Sequence, residues 1–361
     1  MVGESLSVVV LAYGDEPHLN GCIQSILANE GVTEIVIVDN GASDAIAKLP
    51  SDPAIQILSP GLNLGFAAGC NLAAETATGS TLVFVNSDVE LEPTACAALQ
   101  TRLQDPTVGL ATASVRIADR PELMNSGGNP VQFLMFSWAG GLGDPARNHT
   151  RSQRVASVSG ATFAIRRELW CALGGFNSDY FVYGEDLELS LRVWLAGYDV
   201  IYEPRAISHH WYEFSRNPDK LYLLERNRLM TLFTIYEKAT LWRTVPVAAV
   251  IEAAVLVAAL RDGWARQKVS GWLWIWQNRT RLRERRRVVQ AKRTRGDAIL
   301  FKVLQAPINP PPAFGFSVPQ VLNRCLSMAW DRIASRTATL PPTERIVGDA
   351  DHAFASDGRV E

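Results

Sequence analysis

The chain has 361 residues, 47% hydrophobic and 20% charged, which suffices for one large domain with appendages or for two domains around a sizeable core. With 35 Lys and Arg against 37 Asp and Glu the formal charge is -2, so composition carries no chain-wide electrostatic signal, although the distribution of charge does. The five cysteines (Cys22, Cys70, Cys96, Cys171, Cys325) include no Cys-x-x-Cys pair, which argues against a zinc site or a disulfide framework and fits a reducing compartment.

Residues 1–5 lack a basic stretch and the apolar run after them is only strand-length, so no signal peptide is expected. Residues 6–12 are β-branched and apolar and stop at Tyr13-Gly14-Asp15, which predicts a buried first strand. Residues 17–28 have helical spacing, and residues 35–38 and 55–58 read as the next strands, the former closed by Asp39-Asn40-Gly41. A helix over residues 65–77 leads into Leu82-Val83-Phe84-Val85-Asn86-Ser87-Asp88-Val89, a buried strand that ends in a carboxylate. Strands alternating with helices predict an α/β fold with a mainly parallel central sheet, in which ligands gather at the carboxyl ends of the strands. At such an end Asp88, with Asn86 on the same side, suits Mg²⁺ or Mn²⁺ shared with substrate phosphates. The competing reading makes Asp88 the cap of a helix starting near Pro93.

Residues 118–153 are irregular and predict loops over one side of the site, followed by a strand over 155–165 interrupted at Ser159-Gly160. A short helix over 168–173 stops at Gly174-Gly175, a longer one covers 185–196, and a strand over 199–203 ends at Pro204. Residues 245–260 are almost wholly apolar, about 16 residues where a spanning helix needs roughly 20. Trp264, Trp272, Trp274 and Trp276 follow, and then residues 279–295 with nine Lys or Arg and one Glu. This order suits a helical pair lying in a membrane interface against anionic lipid, the alternative being a core helix and a solvated charged one. The tryptophans form a block ahead of the basic run instead of interleaving with it, which disfavours nucleic acid. Pro310-Pro311-Pro312 breaks the chain, and residues 340–361 read as a loose polar tail.

Further pieces complete a constellation. Asp39-Asn40 can bond a base or ribose edge, and Asn63-Leu64-Gly65-Phe66 opens a helix whose free N–H groups suit a phosphate, or is simply a glycine-assisted loop. Gly174-Gly175-Phe176-Asn177 leads to Tyr183-Gly184-Glu185-Asp186 at a helix start, where acids are favoured by the dipole and a carboxylate can also act as a general base.

In this order and spacing the pieces resemble the inverting glycosyltransferases of family 2, with the GT-A fold. The matching segments are Val8-Val9-Val10-Leu11-Ala12-Tyr13, Ile37-Val38-Asp39-Asn40, Asn63-Leu64-Gly65-Phe66, Asn86-Ser87-Asp88-Val89, Ser159-Gly160-Ala161, Gly174-Gly175-Phe176, Tyr183-Gly184-Glu185-Asp186-Leu187-Glu188-Leu189 and Ala196-Gly197-Tyr198. They span roughly residues 5–235, and the most similar subgroup is the rhamnosyltransferase-like one, whose members build lipid-linked or cell-surface polysaccharide. The resemblance implies a GT-A catalytic domain over residues 1–235, and the composition beyond it divides the rest into membrane-interface helices over 236–300 and a Pro-containing extension with a loose tail over 301–361. It implies Asp186 as general base with Glu185 positioning it or the acceptor, and Asp88, helped by Asn86, holding Mg²⁺ or Mn²⁺ on the donor diphosphate. Here Asn-Ser-Asp stands at the family's Asp-x-Asp position, so only one carboxylate is offered. Ala12, Tyr13, Asp39, Asn40, Asn63, Gly65 and Phe66 would line the donor site, and Ser159, Gly160 and Trp211 the acceptor side. His209 or His210 would stand near the metal, unless the doublet is structural, and Arg226 and Arg228 would bind diphosphate, unless they lie on a solvated helix face. The implied partners are a dTDP- or UDP-sugar, a polyprenyl-diphosphate-linked or polysaccharide acceptor and the cytoplasmic membrane surface, with no nucleic acid and a homo-oligomer left open. Two rivals remain: a nucleotidyltransferase, which would want a basic Gly-rich loop where Ala12-Tyr13-Gly14-Asp15 stands, and a non-catalytic membrane scaffold.

Overall fold

The computed structural model describes residues 5–211, 219–312 and 318–338; the expected absence of a signal peptide at residues 1–4 and the expected loose tail over 340–361 lie outside the described residues. In chain order the elements are β1 (Leu6–Ala12), α1 (Leu19–Leu27), β2 (Val32–Asp39), α2 (Ser43–Ile46), β3 (Ile55–Leu58), α3 (Gly65–Thr76) and β4 (Thr81–Asn86). There follow β5 (Val89–Leu91), α4 (Ala95–Leu103), β6 (Val108–Ile117), β7 (Arg120–Ser126), β8 (Gln153–Arg154), β9 (Thr162–Arg166), α5 (Arg167–Leu173), α6 (Glu185–Leu195) and β10 (Asp199–His210). Five helices end the described chain: α7 (Lys220–Ile235), α8 (Lys238–Arg261), α9 (Ala265–Gln277), α10 (Arg279–Lys292) and α11 (Gln320–Ala338).

The strands form one mixed sheet in the order β3-β2-β1-β4-β9-β6-β10-β5, with β7 on β6 and β8 on β10. Through β3-β2-β1-β4 all neighbours are parallel, and β9 then enters antiparallel between β4 and β6. Every residue of β1 is buried because both faces of the sheet are covered, which is why it reads as an unbroken apolar run. Leu6, Val8 and Val10 belong to the core layer that α1 and α4 share on one face, whereas Val9 and Leu11 belong to the layer on the other face, which α3 covers and which continues into the C-terminal helices. Parallel register then gathers the strand ends: Ala12 lies beside Asp39, and Leu11 beside Asn86.

The structure corrects several expected boundaries. A helix does not follow Asp88 directly, because β5 intervenes, and the N-cap position of α4 is taken by Thr94 instead of Asp88. Of the strand expected over 155–165 only the part from Thr162 pairs in the sheet as β9. The segment over 118–153 is not only loop, since β7 pairs with β6. Pro204 does not end β10; the register against β6 jumps between Glu203 and Ile207, and Pro204 sits in that bulge, where its missing N–H costs no ladder bond. Helix α8 has 24 residues, longer than its apolar run, and is long and apolar enough to cross a membrane by length and composition.

Helices α7, α8 and α9 are joined by a buried charge cluster. Arg228 bonds Glu225 Oε2 at 2.9 Å and pairs with Glu252, while Lys268 pairs with Glu225 and reaches Glu252 Oε2 at 2.7 Å. Trp272 Nε1 also donates to Glu252 Oε2. Burial pushes both carboxyls up, but the Arg228 and Lys268 charges outweigh it and hold them below the ordinary carboxylate range. Removing one member strands the others, so Lys268→Met is expected to lower unfolding stability by about 3 kcal/mol in urea titration; an unchanged midpoint would contradict this.

Candidate active site

Glu185 and Asp186 open α6 behind a strained approach: Phe181, Tyr183 and Gly184 all lie in the left-handed region, at φ 63°, 73° and 84°. Asn227 holds that approach by donating Nδ2 to the carbonyls of Tyr180, Val182 and Tyr183 at 3.0, 2.9 and 2.6 Å. Asp186 Oδ2 accepts from Gly160 N at 2.9 Å and Oδ1 from Leu187 N at 2.8 Å, so the carboxylate is fixed between α6 and the segment before β9. A Cβ on Gly160 would meet Asp186 Oδ2 at 3.3 Å, which explains glycine there. The next residue, Ala161, accepts Asn86 N at 3.0 Å and so ties the β4 end to the same segment.

Burial first, then the Asp186 charge, pushes the Glu185 carboxyl up to about 8. Burial raises Asp186 too, against the lowering pull of its two backbone donors. Glu185 therefore keeps the pair's proton near neutrality and Asp186 is the anion. Glu185 is buried, and its Oε2 has no hydrogen-bond partner among the described residues. Between the ordinary value of 4.5 and about 8 the native state holds this proton and the unfolded chain does not, so stability falls as pH rises through that window. The melting-temperature advantage of Glu185→Gln over the wild type should accordingly grow across it; a constant difference would contradict the assignment.

Asp88 occupies the turn between β4 and β5. Antiparallel pairing of β10 with β5 sets His210 against Val89, and His210 Nε2 stands 3.2 Å from Asp88 Oδ1. His210 Nδ1 lies 3.1 Å from Asn125 Oδ1 on β7. The imidazole thus stands between Asn125 and Asp88, and an imidazole nitrogen beside a carboxylate oxygen is a pair of ligand atoms that a divalent cation accepts. Their separation also suits adjacent ligands of an octahedral ion at ~2.1 Å from each, about 3 Å apart. Asn86 Oδ1 is buried in the same region without a hydrogen-bond partner among the described residues. The Cys22 thiol beneath is pushed up by burial first, and the nearby Asp88, Glu16 and Glu90 charges add to it. Among the described residues no group of three or more His, Cys, Asp or Glu is arranged for a metal, so a cation here would take its remaining ligands from a diphosphate and water. The residues present fit that role.

His209 lies on the opposite side of β10, 2.9 Å from Glu92, so of the doublet only His210 faces Asp88. Trp211 stays at the rim: its N–H donates to Asp88 O at 2.9 Å and its ring stacks on His18 at 4.5 Å. Ser159 is buried beside Gly160, and its N–H is taken by Thr112 Oγ1 at 3.2 Å.

Several expected donor contacts are corrected. Arg226 is buried, donating Nη2 to the carbonyls of Asp179 and Tyr180 at 2.9 and 2.8 Å, and Arg228 belongs to the charge cluster. Neither guanidinium is on offer to a diphosphate, nor is either on a solvated face. Ala12 is wholly buried and its carbonyl accepts Asn40 N at 2.9 Å, so its side chain lines no pocket. Asn40 is 1% exposed; its Oδ1 accepts Leu64 N at 2.7 Å and its Nδ2 donates to Asn63 Oδ1 at 2.8 Å, making it a loop clamp. The α3 start is not a row of free N–H groups: Gly65 N bonds Asn63 Oδ1 and Ala67 N bonds Phe181 O. Gly65 is left-handed and meets the Phe181 ring, while Phe66 packs on Phe176 at 6.1 Å. Asp39 accepts from Ala42 N, Ser43 Oγ and Gly41 N; partial burial raises its carboxyl, but these bonds win and hold it low. Tyr13, 59% exposed, remains open to a ligand. Sequence reading missed Asn125, Glu16 and Asn227. Glu16 is buried with Oε2 3.3 Å from Ser87 Oγ, and no spacing rule signals any of the three.

Residues 7–173 match the family model described as Glycosyl transferase family 2. The chain is 27% identical over 270 residues to the N-acetylglucosaminyl-diphospho-decaprenol L-rhamnosyltransferase of Mycobacterium tuberculosis, covering 67% of this chain and 87% of that protein. It is 23% identical over 200 residues to the low-salt glycan biosynthesis hexosyltransferase Agl10 of Haloferax volcanii, covering 52% of this chain and 61% of that protein. In structure it resembles GalNAc-T7, solved with UDP, GalNAc and Mn²⁺, at a TM-score of 0.55 and 17% identity, covering 68% of this chain and about half (51%) of that one. That likeness shows the fold, a GT-A-like α/β arrangement.

Proposed function

The chain carries a glycosyl transferase family 2 domain, and from that premise we propose that it moves one sugar, rhamnose from dTDP-rhamnose being the best candidate, onto a polyprenyl-diphosphate-linked acceptor with inversion. The donor sugar and acceptor class rest on the mycobacterial relative, whose name gives a rhamnosyl transfer to a diphospho-decaprenol-linked sugar. The observation that carries the mechanism is the Asp186 carboxylate, fixed by Gly160 N and Leu187 N beside the buried Glu185 carboxyl.

In this reading Asp186 takes the proton from the acceptor hydroxyl as that oxygen attacks the anomeric carbon from the face opposite the nucleotide. Glu185, kept neutral, adds no second charge to repel the leaving diphosphate. Asp88, oriented by His210 and Asn125, would hold a divalent ion on the diphosphate with Asn86 beside it. Such an ion, when bound, neutralises charge on the leaving group. Tyr13 and Asp39 would face the nucleoside, and Gly160, Ser159 and Trp211 the acceptor. The C-terminal helices would bring the domain to the cytoplasmic membrane face, where a polyprenyl-linked substrate resides. A nucleotidyltransferase gains nothing from these observations, and donor hydrolysis separates an enzyme from a scaffold.

The test incubates the full chain with Mn²⁺, a polyprenyl-diphosphate-N-acetylglucosamine acceptor and a panel of dTDP-, UDP- and GDP-sugars, reading acceptor mass. A mass gain from one donor, lost on chelation, is expected. Donor hydrolysis without acceptor gain would refute the acceptor, and neither would refute the enzyme.

A further inference from the structure

Helix α8 has two unlike faces. Thr244, Ala248, Ile251 and Ala259 are buried, and Glu252 turns inward to Arg228, Lys268 and Trp272. The opposite stripe, Trp242, Pro246, Val250, Ala253, Val257 and Leu260, recurs every three or four residues, is exposed and holds no polar side chain. Trp242, Val250, Val257 and Leu260 are each 65–68% exposed, where a solvated helix would carry charge. Helix α9 adds Val269, Leu273 and Trp276 at the same helical spacing, also exposed. Arg279 stacks 5.2 Å over the Trp276 ring, and Arg283 and Arg287 continue from it at i+4 intervals, exposed and without an ion pair to any described residue. Of the other arginines of α10, Arg285 pairs with Glu188 and Arg286 donates to Phe233 O, both partly buried, while the exposed Arg281 pairs with Asp179.

An apolar stripe along a helix, an exposed tryptophan and an adjoining cationic row form the pattern of a helix lying in an anionic lipid surface. Although α8 has the length and composition to cross a bilayer, crossing would pull Glu252 out of its pairs and strand Arg228 and Lys268 in the interior. We propose that α8 and α9 seat the protein in the plane of an anionic membrane leaflet, with the Trp242-to-Leu260 stripe immersed and α8 not spanning. This deepens the reading of a membrane-bound substrate, but its test needs neither donor nor acceptor, so either can fail alone.

The experiment floats the full chain with phosphatidylglycerol-containing vesicles or pure phosphatidylcholine vesicles and compares Val250→Glu/Val257→Glu with the wild type. The wild type should prefer anionic vesicles by about tenfold. The variant should lose at least about tenfold in partitioning with its melting temperature unchanged, because both side chains already face outward. Alkaline carbonate should release the wild type from cell membranes. Retention after carbonate, equal vesicle binding by the variant, or a lipid-free wild-type dimer that the substitutions convert to monomer would each overturn the proposal, the last by naming a second copy as the stripe's occupant.

Discussion

Asp186→Asn is expected to lower kcat about a thousandfold while the donor KM stays within about threefold, as loss of a general base does when donor binding is untouched. Asp186 receives two backbone N–H groups, which fix its direction without neutralising it, and stands next to a carboxyl that keeps the pair's proton. An asparagine retains the volume and one accepting oxygen but cannot take a proton. Its amide would turn a donor toward one of the two backbone donors, a cost of about 1–2 kcal/mol in stability that the wider fold can absorb. Turnover near the wild-type value in a folded Asp186→Asn protein would remove the base from the mechanism.

Asp88→Ala is the second large effect, expected to lower transfer by about a hundredfold or more and to raise the Mn²⁺ needed for half-activation by at least about tenfold. Asp88 is the one carboxylate of the Asn-Ser-Asp turn, and its partner His210 is itself held by Asn125. Asn125→Ala should therefore show a milder form of the same shift, about tenfold in the metal requirement, with the maximal rate at saturating Mn²⁺ nearly kept. Equal Mn²⁺ titrations for wild type and Asp88→Ala would place the metal elsewhere.

The central strands were legible because they are buried on both faces, so β1, β2 and β4 read directly as apolar runs ending at Ala12, Asp39 and Asn86. Strand β6 was not, since Gly109, Thr112, Ser114 and Arg116 break its apolar run and only its neighbours β9 and β10 give it a place. Glu185, Asp186 and Asp88 stand at element ends, where sequence order alone predicts a position at the sheet edge. Which histidine faces Asp88 could not be counted along β10, because the bulge between Glu203 and Ile207 breaks the alternation on which such counting depends. Arg226 and Arg228 looked like ligands for phosphate because composition carries no sign of direction. Their partners, the carbonyls of Asp179 and Tyr180 and the carboxylates of Glu225 and Glu252, come together only through tertiary packing. The same holds for Asn40, whose amide looked free for a base and instead closes the loop before α3.

The most direct test of a base-assisted single displacement is the anomeric configuration of the transferred sugar, read by carbon–proton coupling in the product made by the full chain. Inversion is predicted for the wild type, and the same inverted product, formed about a thousandfold more slowly, for Asp186→Asn. A product that keeps the donor's configuration would contradict single displacement, and with it the role of Asp186.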